Sequence, residues 1–157
     1  MPAIPVTSAT PAVPSDAAAP ALAALTQVLH GFFHALDLRH YDRMLALFSD
    51  DCRWLRQGQW LEGKPAVRAA LEARSPDLET RHVLTNAYVS ALAGASIEVE
   101  AYMTAYRYPA PTPQDSTLPA IAGPLRFNLT TTVFRRDAGH DWRITEQRMV
   151  AAFGFTQ

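Results

Sequence analysis

The sequence predicts an α+β domain, with about three N-terminal helices covering one face of a curved antiparallel or mixed β-sheet. Three observations lead there. Apolar residues recur at three- and four-residue spacing through the first half of the chain, and from Arg81 the pattern switches to alternation. The alternating runs then follow one another with only turns or a proline-rich loop between them. Helices first and strands afterwards disfavour a parallel βαβ sheet and favour layered α+β packing.

The elements follow in order. From Ala21, the residues Leu22, Leu25, Val28, Leu29, Phe32, Phe33 and Leu36 form one broad stripe, and Pro20 suits a first turn, where its missing N–H costs nothing. After a turn at Leu38–His40, a shorter amphipathic piece runs from Tyr41 to Phe48. The stretch CRWLRQGQW (52–60) reads as extended, with Gly58 turning the chain. A third helix spans Lys64 to Arg74, opened by Gly63 and Pro65 and closed by Ser75–Pro76. Arg81 to Ala91 and Ser96 to Tyr108 alternate around a bend at Gly94. Residues 109–124 hold five prolines, too many for a paired strand. Arg126 to Arg136 and Trp142 to Phe153 make two more strands, joined at Asp137-Ala138-Gly139-His140.

A chain of 157 residues supports one domain with a real core. Residues 1 to about 18, rich in alanine and proline, read as a disordered or loosely packed arm, and 19–157 as the domain. The arm has no Lys or Arg and no unbroken apolar block, so it does not read as a signal peptide. No apolar run approaches the roughly 20 residues a membrane helix needs. A formal net charge of −1 gives no basic surplus for nucleic acid. The lone Cys52 cannot form an internal disulfide, which fits a reducing cytoplasm.

On the run 81–91, alternation sends Val83, Ala87, Val89 and Ala91 one way and His82, Leu84, Asn86 and Tyr88 the other. Three helices cover only one side of such a sheet. The other side is still apolar, so a homodimer through the outer sheet face is expected. On the last strand the same alternation puts Trp142, Ile144, Glu146, Arg148 and Val150 together. Charges among apolar neighbours need partners, so Glu146 with Arg148, or either with Asp37, is expected as an ion pair; Arg148 gripping an acidic substrate is the other option. On the first helix, His30, His34 and Asp37 cluster opposite the apolar stripe. Two histidines a turn apart could hold zinc, but no HExxH and no further ligand supports it. No metal and no cofactor is expected.

Four stretches, ALDLRHYDRMLALFSDDCRW (35–54), LEGKPAVRAAL (61–71), TRHVLTNAYV (80–89) and VFRRDAGHDWRITEQR (133–148), resemble the nuclear transport factor 2-like superfamily and, within it, the SnoaL-like group. The chain is also similar to scytalone dehydratases and to the β-subunits of ring-hydroxylating dioxygenases. The resemblance implies a cone, with the bent sheet wrapped on the helices around an internal apolar cavity. It implies that His82 faces the cavity and moves a proton, a task suited to an imidazole with an ordinary pKa of about 6.5. His34 falls near the place of a catalytic aspartate, and Tyr106 near that of a second histidine. Asn128 and Thr130 fall where small polar cavity residues lie. Trp54 would be cavity wall or core.

Two function classes remain open at this point. The leading one is a cofactor-free lyase or isomerase acting on a small apolar carbonyl or hydroxy compound. There His82 shuttles the proton, Tyr106 and Asn128 steady an oxyanion, and Asn86 or His34 assists, with Tyr88 and Thr130 completing the lining. The alternative is a non-catalytic ligand-binding or assembly module with a larger partner subunit, since fold alone does not fix function.

Overall fold

A computed structural model describes residues 18–112 and 117–155. The expected arm lies almost wholly outside the described residues. Three helices, α1 (Ala18–Asp37), α2 (Tyr41–Ala46) and α3 (Gly63–Glu72), accompany six strands: β1 (Phe48–Arg56), β2 (Gln59–Glu62), β3 (Leu78–Ala93), β4 (Ser96–Pro109), β5 (Arg126–Arg136) and β6 (Trp142–Gly154). They form one sheet in the order β2-β1-β6-β5-β4-β3. The β1–β6 pairing is parallel and every other pairing antiparallel. The α+β class and the curved sheet therefore stand.

The predicted stripe of α1 is the core. Leu25, Leu29, Phe32, Phe33 and Leu36 are buried, with Phe32 edge-on to Phe33, Phe48 and Trp54. α1 begins at Ala18, three residues before the expected Ala21. Phe48 opens β1 rather than closing α2, because its buried ring pairs across to Ile144. The tight β1–β2 connection has positive φ at both Gln57 and Gly58, the backbone that matches strand twist in a two-residue hairpin. No described helix is long and apolar enough to cross a membrane.

Register sets which side chains meet. Across the sheet, Val89, Val99, Thr132, Gln147 and Trp54 share one row on the helix-covered face. Leu84, Met103, Asn128 and Ala151 share another, His82, Ala105 and Arg126 a third, and Thr80 pairs with Arg107 at the end. The opposite face keeps apolar groups exposed: Val83, Tyr102, Leu129 and Phe153, with Phe127 stacked on Phe153 at 5.0 Å between ring centroids.

Two breaks in alternation correct the sequence reading. Asn86 adopts φ 56°, and the β3–β4 register shifts between Thr85 and Tyr88, which is the two-against-one pattern of a β-bulge. His82 and Leu84 therefore face the helices, but Tyr88 emerges on the outer face beside Glu100. On β6, Ile144 and Gln147 are both buried at a spacing of three, so Glu146 and Arg148 do not share the face of Ile144. They lie outside, where Arg148 bonds Glu146 and Glu98 at 2.9 Å each and Arg53 adds to Glu146. The Glu146–Arg148 pair exists, and a charge buried beside Ile144 does not.

Candidate active site

Asp37 is the last residue of α1 and Arg81–Val83 lies under it. A carboxylate at a helix C-terminus is unfavourable with the helix dipole, so something must offset it. Asp37 Oδ2 accepts the backbone N–H of His82 at 2.8 Å, and Oδ1 meets His82 Nδ1 at 2.5 Å. Thr80 Oγ1 donates to the same carboxylate at 3.3 Å and itself accepts from Arg74 at 2.8 Å. Arg74 is fixed in turn by the carbonyl of Leu36 at 2.7 Å. The pair is nearly sealed, with His82 and Asp37 side chains 11% and 9% exposed, and Phe33 packs on the imidazole at 5.2 Å.

A carboxylate on Nδ1 holds that nitrogen protonated and leaves Nε2 with its lone pair. Nε2 has no hydrogen-bond partner among the described residues, and His82 lines a cleft of about 960 Å³. That volume lies at the upper end of ordinary small-molecule sites. Trp54, Met103 and Leu36 give it apolar wall, and Asn128 adds a carboxamide that holds the Met103 carbonyl only loosely, at 3.4 Å. The indole N–H of fully buried Trp54 has no partner among the described residues. Arg56, Arg74, Arg107 and Arg126 complete the polar lining, which no Asp or Glu joins. The cavity is therefore less apolar than expected. A base, a wall and a set of donors in one cleft suffice for proton transfer to or from a bound molecule.

Of the residues singled out from the sequence, His82, Trp54 and Asn128 lie together on this cleft. Thr130 faces the same way, but its hydroxyl is buried against the Ala101 carbonyl at 3.0 Å and does not line the cleft. The others do not reach it. Tyr106 alternates with Ala105 and Met103 and so faces outward. Asn86 is exposed in the bulge. Tyr88 donates its hydroxyl to Glu100 at 2.6 Å on the outer face, a bond that pushes its phenol up to about 12. His34 is exposed on α1. Arg148 is committed to Glu98 and Glu146. Among the described residues no group of three or more His, Cys, Asp and Glu could hold a metal ion.

Asp37 was missed as a partner of His82, although a carboxylate ending a helix was a signal. The arginines were missed too, because alternation alone does not say which strand ends converge.

The SnoaL-like domain model matches residues 17–148, most of the chain. The chain belongs to the SnoaL-like family. No curated protein matches it in sequence. Among solved structures, this SnoaL-like chain is similar to a candidate scytalone dehydratase from Novosphingobium aromaticivorans, at 15% identity over 88% of this chain and 89% of the other, with TM-score 0.71. A hexachlorocyclohexane dehydrochlorinase matches at 14% identity, 87% and 88% coverage and TM-score 0.69. The β-subunit of a candidate aromatic-ring-hydroxylating dioxygenase from the same Novosphingobium species matches at 14% identity, 88% and 94% coverage and TM-score 0.67. At such identities the likeness is one of fold.

Proposed function

We propose that this SnoaL-like protein is a cytoplasmic lyase or isomerase in which His82 moves a proton on a bound small molecule. The observation that carries this reading is the Asp37–His82 pair, bonded at 2.5 Å on the wall of a cleft large enough for a guest. Nε2 takes a proton from a carbon or hydroxyl of the substrate. Asp37 steadies the imidazolium that forms, and the proton returns to another atom of the substrate or to a leaving group. Asn128, on the same cleft wall, is the neutral donor nearest to hand for a developing oxyanion. Such chemistry needs no cofactor, because the side chain itself carries the proton. The fold shared with dehydratase and dehydrochlorinase structures is in keeping with it.

The test is turnover, or solvent-deuterium incorporation, across a panel of carbonyl and hydroxy compounds by wild type, His82→Gln and His82→Ala. A positioned base contributes about 10²–10⁴-fold, and losses of that size are expected. Equal rates in all three proteins would remove His82 from the reaction.

A second reading is a non-catalytic assembly module, favoured by the exposed apolar outer face with Tyr102, Leu129 and Phe153. It requires a larger subunit to co-purify, and native mass spectra of source-cell material showing only copies of this chain would set it aside.

A further inference from the structure

We infer that the molecule bound in this cleft is an organic oxyanion, an apolar body bearing a carboxylate or phosphate that Arg56, Arg107 and Arg126 hold at the cleft mouth. This rests on the reading of the cleft as the reaction site and names its substrate class. The inner face of the sheet is graded along the strands. Its closed end is the row of Val99, Thr132, Gln147 and Trp54; then come Ala101, Thr130 and Met149, next Met103 and Asn128, then His82 and Arg126, and finally Arg107. Arg56, two residues beyond Trp54 on β1, reaches the cleft from the other side. Positive charge thus gathers at one end of a pocket whose depth is apolar.

Four arginines line the cleft without a carboxylate among them. Only Arg74 is occupied, by the Leu36 carbonyl, the Tyr41 hydroxyl and Thr80. The guanidinium groups of Arg56, Arg107 and Arg126 make no hydrogen bond or ion pair among the described residues; that of Arg56 has only the Trp54 ring, 5.6 Å away. Burial first, and then the like charges of Arg74 and Arg126, hold the Arg56 guanidinium below its ordinary range. Several arginines outside the cleft are matched to carboxylates: Arg53 with Glu146, Arg68 with Asp42, Arg135 with Asp51, Arg143 with Asp137. The smaller cavity of about 340 Å³ mixes Asp50, Asp51 and Asp137 with its cations. Arg56 and Arg126 are partly buried and Arg107 is exposed, and unmatched guanidinium groups so close together repel one another until an anion arrives. Their planar forks fit a carboxylate or phosphate two bonds at a time, and a cleft of one sign concentrates such ligands from solution.

In register, Arg126 lies two strands from His82 through Ala105, roughly 10 Å between backbones. An anion held there leaves the rest of the molecule to lie across Met103 and Trp54, with a reacting atom at His82.

Calorimetric titration with 2-naphthoate, 2-naphthyl phosphate and neutral 2-naphthamide tests this. At least one anion should bind about tenfold more tightly than the amide, and its advantage should shrink as salt rises. The tighter anion names the group. Arg126→Gln and Arg56→Gln should each weaken the anion about tenfold, the scale of one lost charged hydrogen bond, and leave amide binding unchanged. An amide that binds as well as both anions, or folded variants that bind the anions like wild type, would overturn the inference. The amide and salt comparisons use wild type alone and decide the matter if a variant does not fold. His82→Gln separates the two readings. Anion preference retained while turnover is lost supports both; anion preference with turnover also intact sinks only the proton transfer.

Discussion

Replacing Asp37 by asparagine moves the imidazole's proton to its other nitrogen. In the native protein one carboxylate accepts twice from the same residue, at 2.8 Å from the His82 backbone N–H and 2.5 Å from Nδ1. A carboxamide has one acceptor oxygen and one donor nitrogen. The backbone N–H cannot change, so the oxygen goes to it and the amide nitrogen faces Nδ1. The ring then moves its proton to Nε2, and the lone pair that served the cleft is gone. A tautomer error of this kind removes the base, so Asp37→Asn should slow turnover by about 10²–10⁴. At 1.36 kcal/mol per decade that is roughly 3–5 kcal/mol of barrier. Stability should fall as well, by about 1.5–3 kcal/mol for the lost charge-assisted bond. The tautomer can be read without a substrate, from nitrogen-15 spectra of histidine-labelled protein. In its neutral ring wild type should carry the proton on Nδ1, and Asp37→Asn should carry it on Nε2. A variant ring that keeps its proton on Nδ1, with turnover unchanged, refutes the reasoning.

Three further outcomes are expected. Burial pushes the Cys52 thiol up to about 11 from 9.0. Below pH 9 it is neutral folded or unfolded, and between 9 and 11 only the unfolded chain ionises, so stability should drop by roughly 2–3 kcal/mol across that window; denaturant curves of wild type against Cys52→Ala at pH 8 and 11 should differ by that amount. Thr132 donates to Gln147 Oε1 at 2.7 Å in the closed core, so Thr132→Val should cost about 1–3 kcal/mol by chemical denaturation, and adding Gln147→Leu should recover most of it. If the outer face joins two copies, wild type should sediment as a dimer, while Phe153→Glu, which puts a charge beside Phe127 and Phe155, should sediment as a monomer.

What could be read from the sequence divides along a physical line. Periodicity reports which face of an isolated element is apolar, and so α1 and the inward aim of His82 were legible. It does not report where alternation breaks. The bulge at Asn86 reversed the remainder of β3 and carried Tyr88 outside; the uneven spacing of Ile144 and Gln147 did the same for Arg148 on β6. Asparagine tolerates a positive φ better than most residues, which was a faint clue to the first. Tyr106 failed for a simpler reason, since its opposite parity to Met103 and Ala105 was readable and those two apolar residues were the better inner face. Asp37 was visible as an odd helix ending, but its partner lies 45 positions away. Three unmatched arginines on β1, β4 and β5 meet only once strand order is known.

The parallel junction of β1 with β6 has a consequence for how the molecule is made. Arg53 and Glu146 are 93 positions apart, so Trp54, on one side of the cleft, is paired to the strand of the sheet that comes last in chain order. Closing a loop that long is slow relative to local pairing. During translation β1 waits with an open edge until β6 emerges, and that interval is where aggregation or chaperone capture will compete with folding.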